Sequence, residues 1–302
     1  MPDSRRFLHP EAIKRIARLD LRARYIVEGF LSGVHRSPYF GQSVEFLQHR
    51  EYTRGDDMRR IDWKVWAKQD RYYVKQYEED TNLRATLLVD VSASMRYGSG
   101  PLNKYEYGST VATSLAYLLL RQQDAVGCVA FDGGTRATVP QRSHRNHLDA
   151  IIQALDVSKP EHKTDLGRIL RHVAESYPRR GLLVLVSDLL VDRRGLFKGL
   201  AMLRQRGYDI MLFHVLDDDE LDFPFSGATR FDGLELPERL TCNPRALREG
   251  YLAALNSYLE EVRHGCARQA VDYTLLRTSQ PLDAALAAFV SSRQRGARRA
   301  SK

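Results

Sequence analysis

Apolar residues recur along most of the chain in short runs separated by amphipathic stretches. The runs are short, bounded and rich in β-branched residues, which is typical of buried parallel strands, and the stretches between them have helical spacing. The predicted strands cover residues 84–90, 125–131, 137–140, 181–187, 208–216 and 272–277, and the predicted helices cover residues 104–123, 144–155, 165–177, 194–205, 245–268 and 282–292. This alternation predicts an α/β fold, a doubly wound, mostly parallel sheet with helices on both faces.

The pattern differs ahead of residue 82 and after residue 216. Residues 10–33 have near-helical apolar spacing among many arginines, and residues 43–79 alternate between polar and aromatic positions. We therefore predict one or two helices followed by a small antiparallel β element. An acidic turn and a passage of loops and short strands are predicted after residue 216. The predicted domains are residues 1–81 (N-terminal helices and aromatic β extension), residues 82–293 (the α/β domain) and residues 294–302 (a basic disordered tail).

Charge changes this picture only at the C-terminus. The formal net charge is +8, and residues 291–302 contribute +5 of it, which leaves +3 for the rest of the chain. A solvated basic tail is expected, and the body is not a nucleic-acid-binding domain by charge, so no specific nucleic acid is predicted as a partner. Three cysteines without a C-x-x-C pair, and the absence of a transmembrane or signal segment, favour a cytoplasmic protein.

The segment that follows the strand at residues 84–90 carries the strongest chemical signal. Asp90, Ser92 and Ser94 form a D-x-S-x-S motif at the carboxyl end of a predicted central strand, where open α/β sheets bind ligands. A carboxylate with two hydroxyls is a hard-oxygen set suited to Mg²⁺ or Mn²⁺. The alternative interpretation is that Asp90 and Ser92 cap the next helix.

Two later residues extend this candidate site. The strand at residues 181–187 ends at Asp188, and Thr164 lies in a loop before a helix. If the strands are parallel neighbours, both side chains reach the same edge as Asp90 and complete a set of five oxygen donors for one divalent cation. Taken alone, Thr164 is also a plausible helix N-cap, and Asp188 a strand-end turn residue.

The order D-x-S-x-S, Thr, Asp resembles the metal-ion-dependent adhesion site (MIDAS) of von Willebrand factor A domains. Further motifs resemble the bacterial domain-of-unknown-function 58 (DUF58) family; they are residues 41–46 (GQSVEF), 50–52 (REY), 55–57 (GDD), 61–64 (IDWK), 186–189 (VSDL) and 214–217 (HVLD). The resemblance implies a von Willebrand A-like fold. It also implies a partnership with a MoxR-type AAA+ ATPase, as an adaptor or a client.

These observations favour a non-enzymatic, metal-dependent protein-interaction module. Its partner, the ATPase or a client protein, would donate an acidic ligand to Mg²⁺ or Mn²⁺. An enzyme is the alternative: Asp57, Asp62 and Lys64 resemble a Mg²⁺-dependent nuclease set, and Asp90 would be the nucleophile of a phosphohydrolase. Ion-paired surface strands that involve Arg59, Arg60 and Lys64 are the favoured explanation of the first set. Hydroxyls beside Asp90 suit stable coordination better than phosphoryl transfer. No catalytic residue is therefore assigned.

Overall fold

The computed structural model describes residues 9–34, 46–51, 72–77, 83–144, 146–157, 166–176, 180–234 and 238–300. The chain divides into two compact units, one of residues 1–33 and 83–302 and the other of residues 34–82. The first unit contains an α/β sheet, and the N-terminal helices belong to it.

Nine α-helices and ten strands are formed by the described residues. The helices are α1 (Pro10–Lys14), α2 (Leu19–Val34), α3 (Lys104–Arg121), α4 (His147–Val157), α5 (Leu166–Ser176), α6 (Arg193–Gln205), α7 (Asp218–Asp222), α8 (Pro244–Arg268) and α9 (Asp283–Ala300). The strands are β1 (Phe46–Glu51), β2 (Tyr73–Tyr77), β3 (Arg84–Asp90), β4 (Ala125–Phe131), β5 (Thr135–Arg142), β6 (Leu182–Ser187), β7 (Asp209–Leu216), β8 (Thr229–Asp232), β9 (Arg239–Cys242) and β10 (Asp272–Arg277).

The central sheet has six strands in the order β10-β7-β6-β3-β4-β5. Strand β5 pairs antiparallel with β4, and the other neighbouring strands are parallel. Chain order reverses between β3 and β6, since β4 and β5 lie on one side of β3 and β6, β7 and β10 on the other. In doubly wound sheets ligands bind at such a switch point, outside the carboxyl ends of the strands. The predicted α/β class, a doubly wound and mostly parallel sheet, is confirmed, and the likeness to von Willebrand A domains remains a prediction.

Helices cover both faces of this sheet, and every residue of the central strand β6 is therefore buried. Leu183 and Leu185 face a core that helices α5, α6 and α8 complete with residues such as Leu170, Leu200 and Val262. Helix α3 packs on the opposite face. A Cβ atom added to Gly108 of α3 would lie 3.0 Å from Val186 Cγ1, so a residue without a side chain permits this close approach. Burial on both sides explains why β6 is an unbroken apolar run.

Helices α1 and α2 pack on the α/β unit. Ile13, Ile26 and Val27 are fully buried, and the Arg24 guanidinium lies 5.9 Å from the centre of the Tyr117 ring on α3. The amphipathic pattern of residues 10–33 thus reflects burial against the domain that follows. The domain boundary placed at residue 81 remains a prediction.

In the second unit, β1 and β2 form an antiparallel pair in which Phe46 is opposite Tyr77 and Glu51 opposite Tyr73, with an irregular register between Phe46 and Gln48. Antiparallel pairing agrees with the small β element predicted for residues 43–79. The motifs at residues 41–45, 52 and 55–64 lie outside the described residues.

Two stretches of the chain differ from the sequence-based expectation. Helix α9 extends to Ala300, although the sequence predicted an end at residue 292 and a disordered tail beyond it. Alanine and arginine favour helices, and the segment after residue 292 has too few apolar residues for hydrophobic patterning to predict a helix there. The acidic turn after β7 is the short helix α7, whereas the short strands predicted for the following passage are present as the β8–β9 hairpin.

Candidate metal centre

The predicted site lies at the switch point of the sheet. Val89 and Val186 are register partners on the parallel strands β3 and β6, so Asp90 and Asp188 leave the sheet at the same edge. Both aspartates are buried, with exposed fractions of 0% and 1%. Two carboxylates taken out of water side by side must be compensated by hydrogen bonds or positive charge.

A compact turn presents the two serine hydroxyls. The Ser92 backbone N–H donates to Asp90 Oδ1 over 2.9 Å, and the Ser92 and Ser94 hydroxyl oxygens lie 3.0 Å apart. Ser92 precedes a 3₁₀ turn (Ala93–Arg96), but its side chain makes no capping hydrogen bond. Helix α3 is instead capped by Asn103, which forms a capping box with Glu106. The motif therefore orients its hydroxyls toward each other and does not serve as the helix cap considered from the sequence.

The Asp90 carboxylate is under electrostatic stress. Burial, and then the neighbouring Asp188 carboxylate, raise the pKa of Asp90 to about 7. Hydrogen bonds from Ser92 N–H and from the Ser187 hydroxyl, 2.5 Å from Asp90 Oδ2, act in the opposite direction without overcoming these two effects. A cation beside Asp90 would relieve both the burial cost and the repulsion.

The Asp188 carboxylate is paired with the ammonium group of a buried lysine. The Lys104 Nζ atom donates to Asp188 Oδ2 over 2.8 Å and to Glu220 Oε1 over 2.6 Å, and the lysine side chain is fully buried. Burial alone would lower the pKa of Lys104, but the two carboxylates raise it above its ordinary value. Sequence reasoning missed this residue, because one lysine in the first turn of an amphipathic helix has no distinguishing pattern.

His214 fixes the backbone next to Asp188. Its Nε2 atom is 2.8 Å from the Asp188 carbonyl oxygen and its Nδ1 atom 2.9 Å from the Tyr273 hydroxyl oxygen. Burial lowers the pKa of His214 to about 4, so the ring is neutral, and Nε2–H donates to the carbonyl while Nδ1 accepts from the tyrosine. The histidine lies in the HVLD segment that resembles a DUF58 motif, but no pattern in the sequence indicates its role.

The chain turns sharply after Asp188. Leu189 has a φ angle of 54°, a left-handed conformation that non-glycine residues rarely adopt. Its N–H donates to the Ser187 hydroxyl over 3.0 Å, and its carbonyl accepts from the Tyr258 hydroxyl. These bonds hold the strained turn, which leaves the next residue, Leu190, 49% exposed.

The structure brings four of the five predicted ligands to one edge of the sheet. Asp90, Ser92 and Ser94 share one turn, and Asp188 is close enough to Asp90 to raise its pKa. Thr164 lies outside the described residues, so its place in the site remains a prediction. Asp57, Asp62 and Lys64, the residues of the nuclease alternative, also lie outside them.

The described residues fit a hard divalent cation. Octahedral Mg²⁺ with metal–oxygen distances of about 2.1 Å places adjacent ligand oxygens about 3 Å apart, and the Ser92 and Ser94 hydroxyl oxygens are 3.0 Å apart. Asp90 supplies the carboxylate that needs positive charge, whereas Asp188 already has Lys104. In the part of the chain that the structure describes, no three His, Cys, Asp or Glu side chains form a metal cluster, so a metal site at this edge of the sheet depends on the serine hydroxyls.

Comparison with known proteins identifies chains of similar sequence. The chain is 26% identical over 294 residues to Uncharacterized protein Rv1480 of Mycobacterium tuberculosis, covering 95% of this chain and 92% of the relative. Uncharacterized protein Mb1516 of Mycobacterium bovis matches with the same identity and coverage.

Solved structures give weaker likenesses. The conserved hypothetical protein BatB from Bacteroides thetaiotaomicron is 14% identical with a TM-score of 0.46, over 72% of this chain and 99% of that chain. An aerotolerance-related membrane protein from Bacteroides fragilis is 15% identical with a TM-score of 0.47, over 70% and 99% of the two chains. Likenesses of this strength say nothing about what the chain binds.

Two observations bear on the class of the protein. Among the residues that the structure describes, no helix is both long and apolar enough to cross a membrane. The family model described as "Protein of unknown function DUF58" matches residues 48–260. Since that match covers most of the sequence, the chain belongs to the DUF58 family.

Proposed function

We propose that the chain is a non-enzymatic protein-interaction module whose binding site is completed by Mg²⁺ or Mn²⁺. The observation that carries the proposal is the turn from Asp90 to Ser94 at the switch point of the sheet. It combines a buried carboxylate of raised pKa with two hydroxyl oxygens at the spacing of adjacent metal ligands. Asp90, Ser92, Ser94, Thr164 and Asp188 would hold the cation, with Asp188 acting through water because Lys104 occupies one of its oxygens.

The protein residues prepare this turn for a partner. Ser187 and the Ser92 backbone orient the Asp90 carboxylate, and His214 fixes the backbone of Asp188. Ser94 is the least buried of the four described ligands, so the carboxylate of a partner would approach the site at this residue. A bound cation with an open coordination position would accept that carboxylate as a ligand. Recognition would then require a carboxylate on the partner and metal on the module.

By the family resemblance, the partner would be a MoxR-type AAA+ ATPase or a client protein that is brought to it. The module would then act as an adaptor or a client in the assembly or activation of other proteins. Hydroxyl-rich coordination supports a binding role better than turnover. An enzymatic role would require a nucleophile or a general base at the site in addition to the coordinating oxygens.

Metal binding can be tested by calorimetric titration of the full chain with Mg²⁺ and Mn²⁺. We expect the wild type to bind the metal and Asp90→Asn to bind it at least about tenfold more weakly. The variant loses the contact between the cation and a charged carboxylate, and contacts to charged groups are worth about 1.5–3 kcal/mol. Asp217→Asn is the matched control, since Asp217 is a buried aspartate at the same edge of the sheet, and it should bind metal like wild type. Equal affinities for wild type and Asp90→Asn would contradict the metal site.

The partnership can be tested by capture of the co-expressed MoxR-type ATPase of the same organism. We expect capture by the wild type in Mg²⁺, and loss of capture both in chelator and with the Ser92→Ala, Ser94→Ala double variant. Circular dichroism should show that this variant is folded. Capture that persists in both conditions would place the interaction elsewhere, and cleavage of DNA, RNA or a phosphoester by the same preparations would favour the enzyme alternative.

A further inference from the structure

A cavity of about 420 Å³ opens beside the candidate metal centre. Ser94 and Lys104 form the side of the cavity nearest the centre, and the remaining wall comes from the turn after β6, helix α7, the β8–β9 hairpin and helix α8. The other lining residues are Tyr97, Leu190, Asp219, Glu220, Phe223, Phe225, Phe231, Asp232, Gly233, Leu234, Glu238 and Tyr251. None of these residues was singled out as a site from the sequence.

Four of the five aromatic rings in this cavity form a cluster, and Leu190 and Leu234 add to the apolar part of the lining. Phe223 lies 4.5 Å from Tyr251 and 5.2 Å from Phe225, measured between ring centres, and Phe225 lies 5.2 Å edge-on from Phe231. Phe223 is buried beneath the others at the left-handed end of α7, with a φ angle of 44°. The rings support one another, so the wall is formed before any ligand arrives.

The charged part of the cavity is acidic. Its lining contains the carboxylates of Asp219, Glu220, Asp232 and Glu238 but one cationic side chain, Lys104, which already pairs with Glu220 and Asp188. Arg230 and Arg239 form exposed ion pairs with Asp232. Because the chain as a whole carries a net charge of +8, this concentration of acid is a local property of the cavity.

We propose that this cavity binds an arginine side chain of a partner protein. Aromatic faces attract a guanidinium group and accommodate the apolar stem of arginine, and a carboxylate rim satisfies its N–H donors. A purely apolar side chain would leave two lining acids, Asp219 and Glu238, without a counter-charge, since neither forms an ion pair with another described residue. Lysine would match the charge, but its compact, strongly hydrated ammonium stacks less well on rings.

The proposal deepens the function proposed above, and rests on it for the existence of a partner. Since the cavity adjoins Ser94, a partner segment could place an acidic residue at the metal centre and an arginine in the cavity. The arginine site itself consists of protein groups alone, so it can be tested with chelator present, independently of the metal.

The test uses three blocked pentapeptides of sequence Gly-Gly-X-Gly-Gly, in which X is arginine, citrulline or norleucine. Citrulline keeps the shape of arginine without the charge, and norleucine keeps an apolar stem alone. Binding to the full chain is followed by NMR in chelator. We expect the arginine peptide to shift the ring signals of the cavity and to bind at least about tenfold more tightly than the other two peptides, because a charge-assisted contact is lost in both.

Three variants assign the binding to this cavity. Glu238→Gln should weaken binding of the arginine peptide and leave binding of the other two peptides unchanged. Phe225→Leu keeps an apolar side chain but removes a ring, and it should also weaken binding of the arginine peptide. Glu175→Gln is the control, because Glu175 is an exposed acid at the end of α5, and it should have no effect. Equal affinity for citrulline or norleucine, no detectable binding, or insensitivity to Glu238→Gln would each overturn the proposal.

The two proposals fail separately. Arginine binding in chelator without calorimetric Mg²⁺ binding would contradict the metal-dependent function and leave the arginine site standing. Mg²⁺ binding that Asp90→Asn abolishes, without selectivity for the arginine peptide, would support the metal site and contradict the arginine site.

Discussion

Asp90 and Asp217 are both fully buried at the same edge of the central sheet, yet they differ in pKa. Asp217 accepts hydrogen bonds from the N–H and hydroxyl of Ser99, at 3.1 and 2.5 Å, from the Thr278 hydroxyl at 2.7 Å and from the Asp219 N–H at 3.1 Å. Burial alone would raise the pKa of Asp217, but these bonds hold it below its ordinary value. The pKa of Asp90 is raised to about 7.

The difference separates a structural carboxylate from a candidate functional one. Asp217 joins the loop after the 3₁₀ turn, the start of α7 and the end of β10, and its charge is compensated by hydrogen bonds. Asp188 is compensated by the Lys104 ammonium. Asp90 keeps the electrostatic stress that a cation would relieve, and strained electrostatics of this kind concentrate at functional sites.

The largest expected effect comes from removing the internal cation. Lys104→Met keeps the apolar stem but leaves Asp188 and Glu220 without their ammonium partner, so the free energy of unfolding should fall by about 3–5 kcal/mol. Chemical denaturation in chelator measures this loss. Added Mg²⁺ should restore more stability to this variant than to wild type, because the second carboxylate becomes available to metal. A loss below about 1 kcal/mol would show that the buried pair contributes little.

Exchange of the two aspartates for asparagine tests the comparison directly. Asp217→Asn presents an NH₂ group to the donors of Ser99, Asp219 and Thr278, and should cost about 1–3 kcal/mol through buried donors left without an acceptor. Asp90→Asn removes a repelled buried charge, and in chelator it should change the free energy of unfolding by less than about 1 kcal/mol. Equal losses in the two variants would mean that the carboxylates play equivalent structural roles.

The smallest expected effect is the acid dependence of Asp217. Because its pKa is lower in the folded protein than its ordinary value of 3.8, its contribution to stability is fully present well above that value and is lost as the pH falls through the folded pKa. The difference in unfolding free energy between wild type and Asp217→Asn should therefore be constant from pH 7 to about pH 5 and shrink below about pH 4. If the difference in unfolding free energy grew on acidification, the pKa of Asp217 would be raised on folding and not lowered.

The sequence determined the α/β architecture, because strand and helix periodicities are local properties of the chain. The strands at residues 84–90, 125–131 and 272–277 were predicted at their observed bounds, and most of the other elements within a few residues. The sequence also placed the D-x-S-x-S motif and Asp188 at strand ends, and parallel pairing of β3 and β6 then brought them to one edge. The Asp90–Ser94 turn is local enough to be predicted from its own residues.

Only the tertiary structure decided what surrounds those residues. Lys104 and Asp188 are 84 residues apart and Lys104 and Glu220 are 116 apart, so no local pattern joins them into one buried network. The aromatic cavity likewise combines a turn, a helix, a hairpin and a second helix, each unremarkable alone. Hydrophobic periodicity fixes which residues are buried, but the compensation of buried charge depends on contacts between distant elements, and those contacts exist only once the sheet has formed.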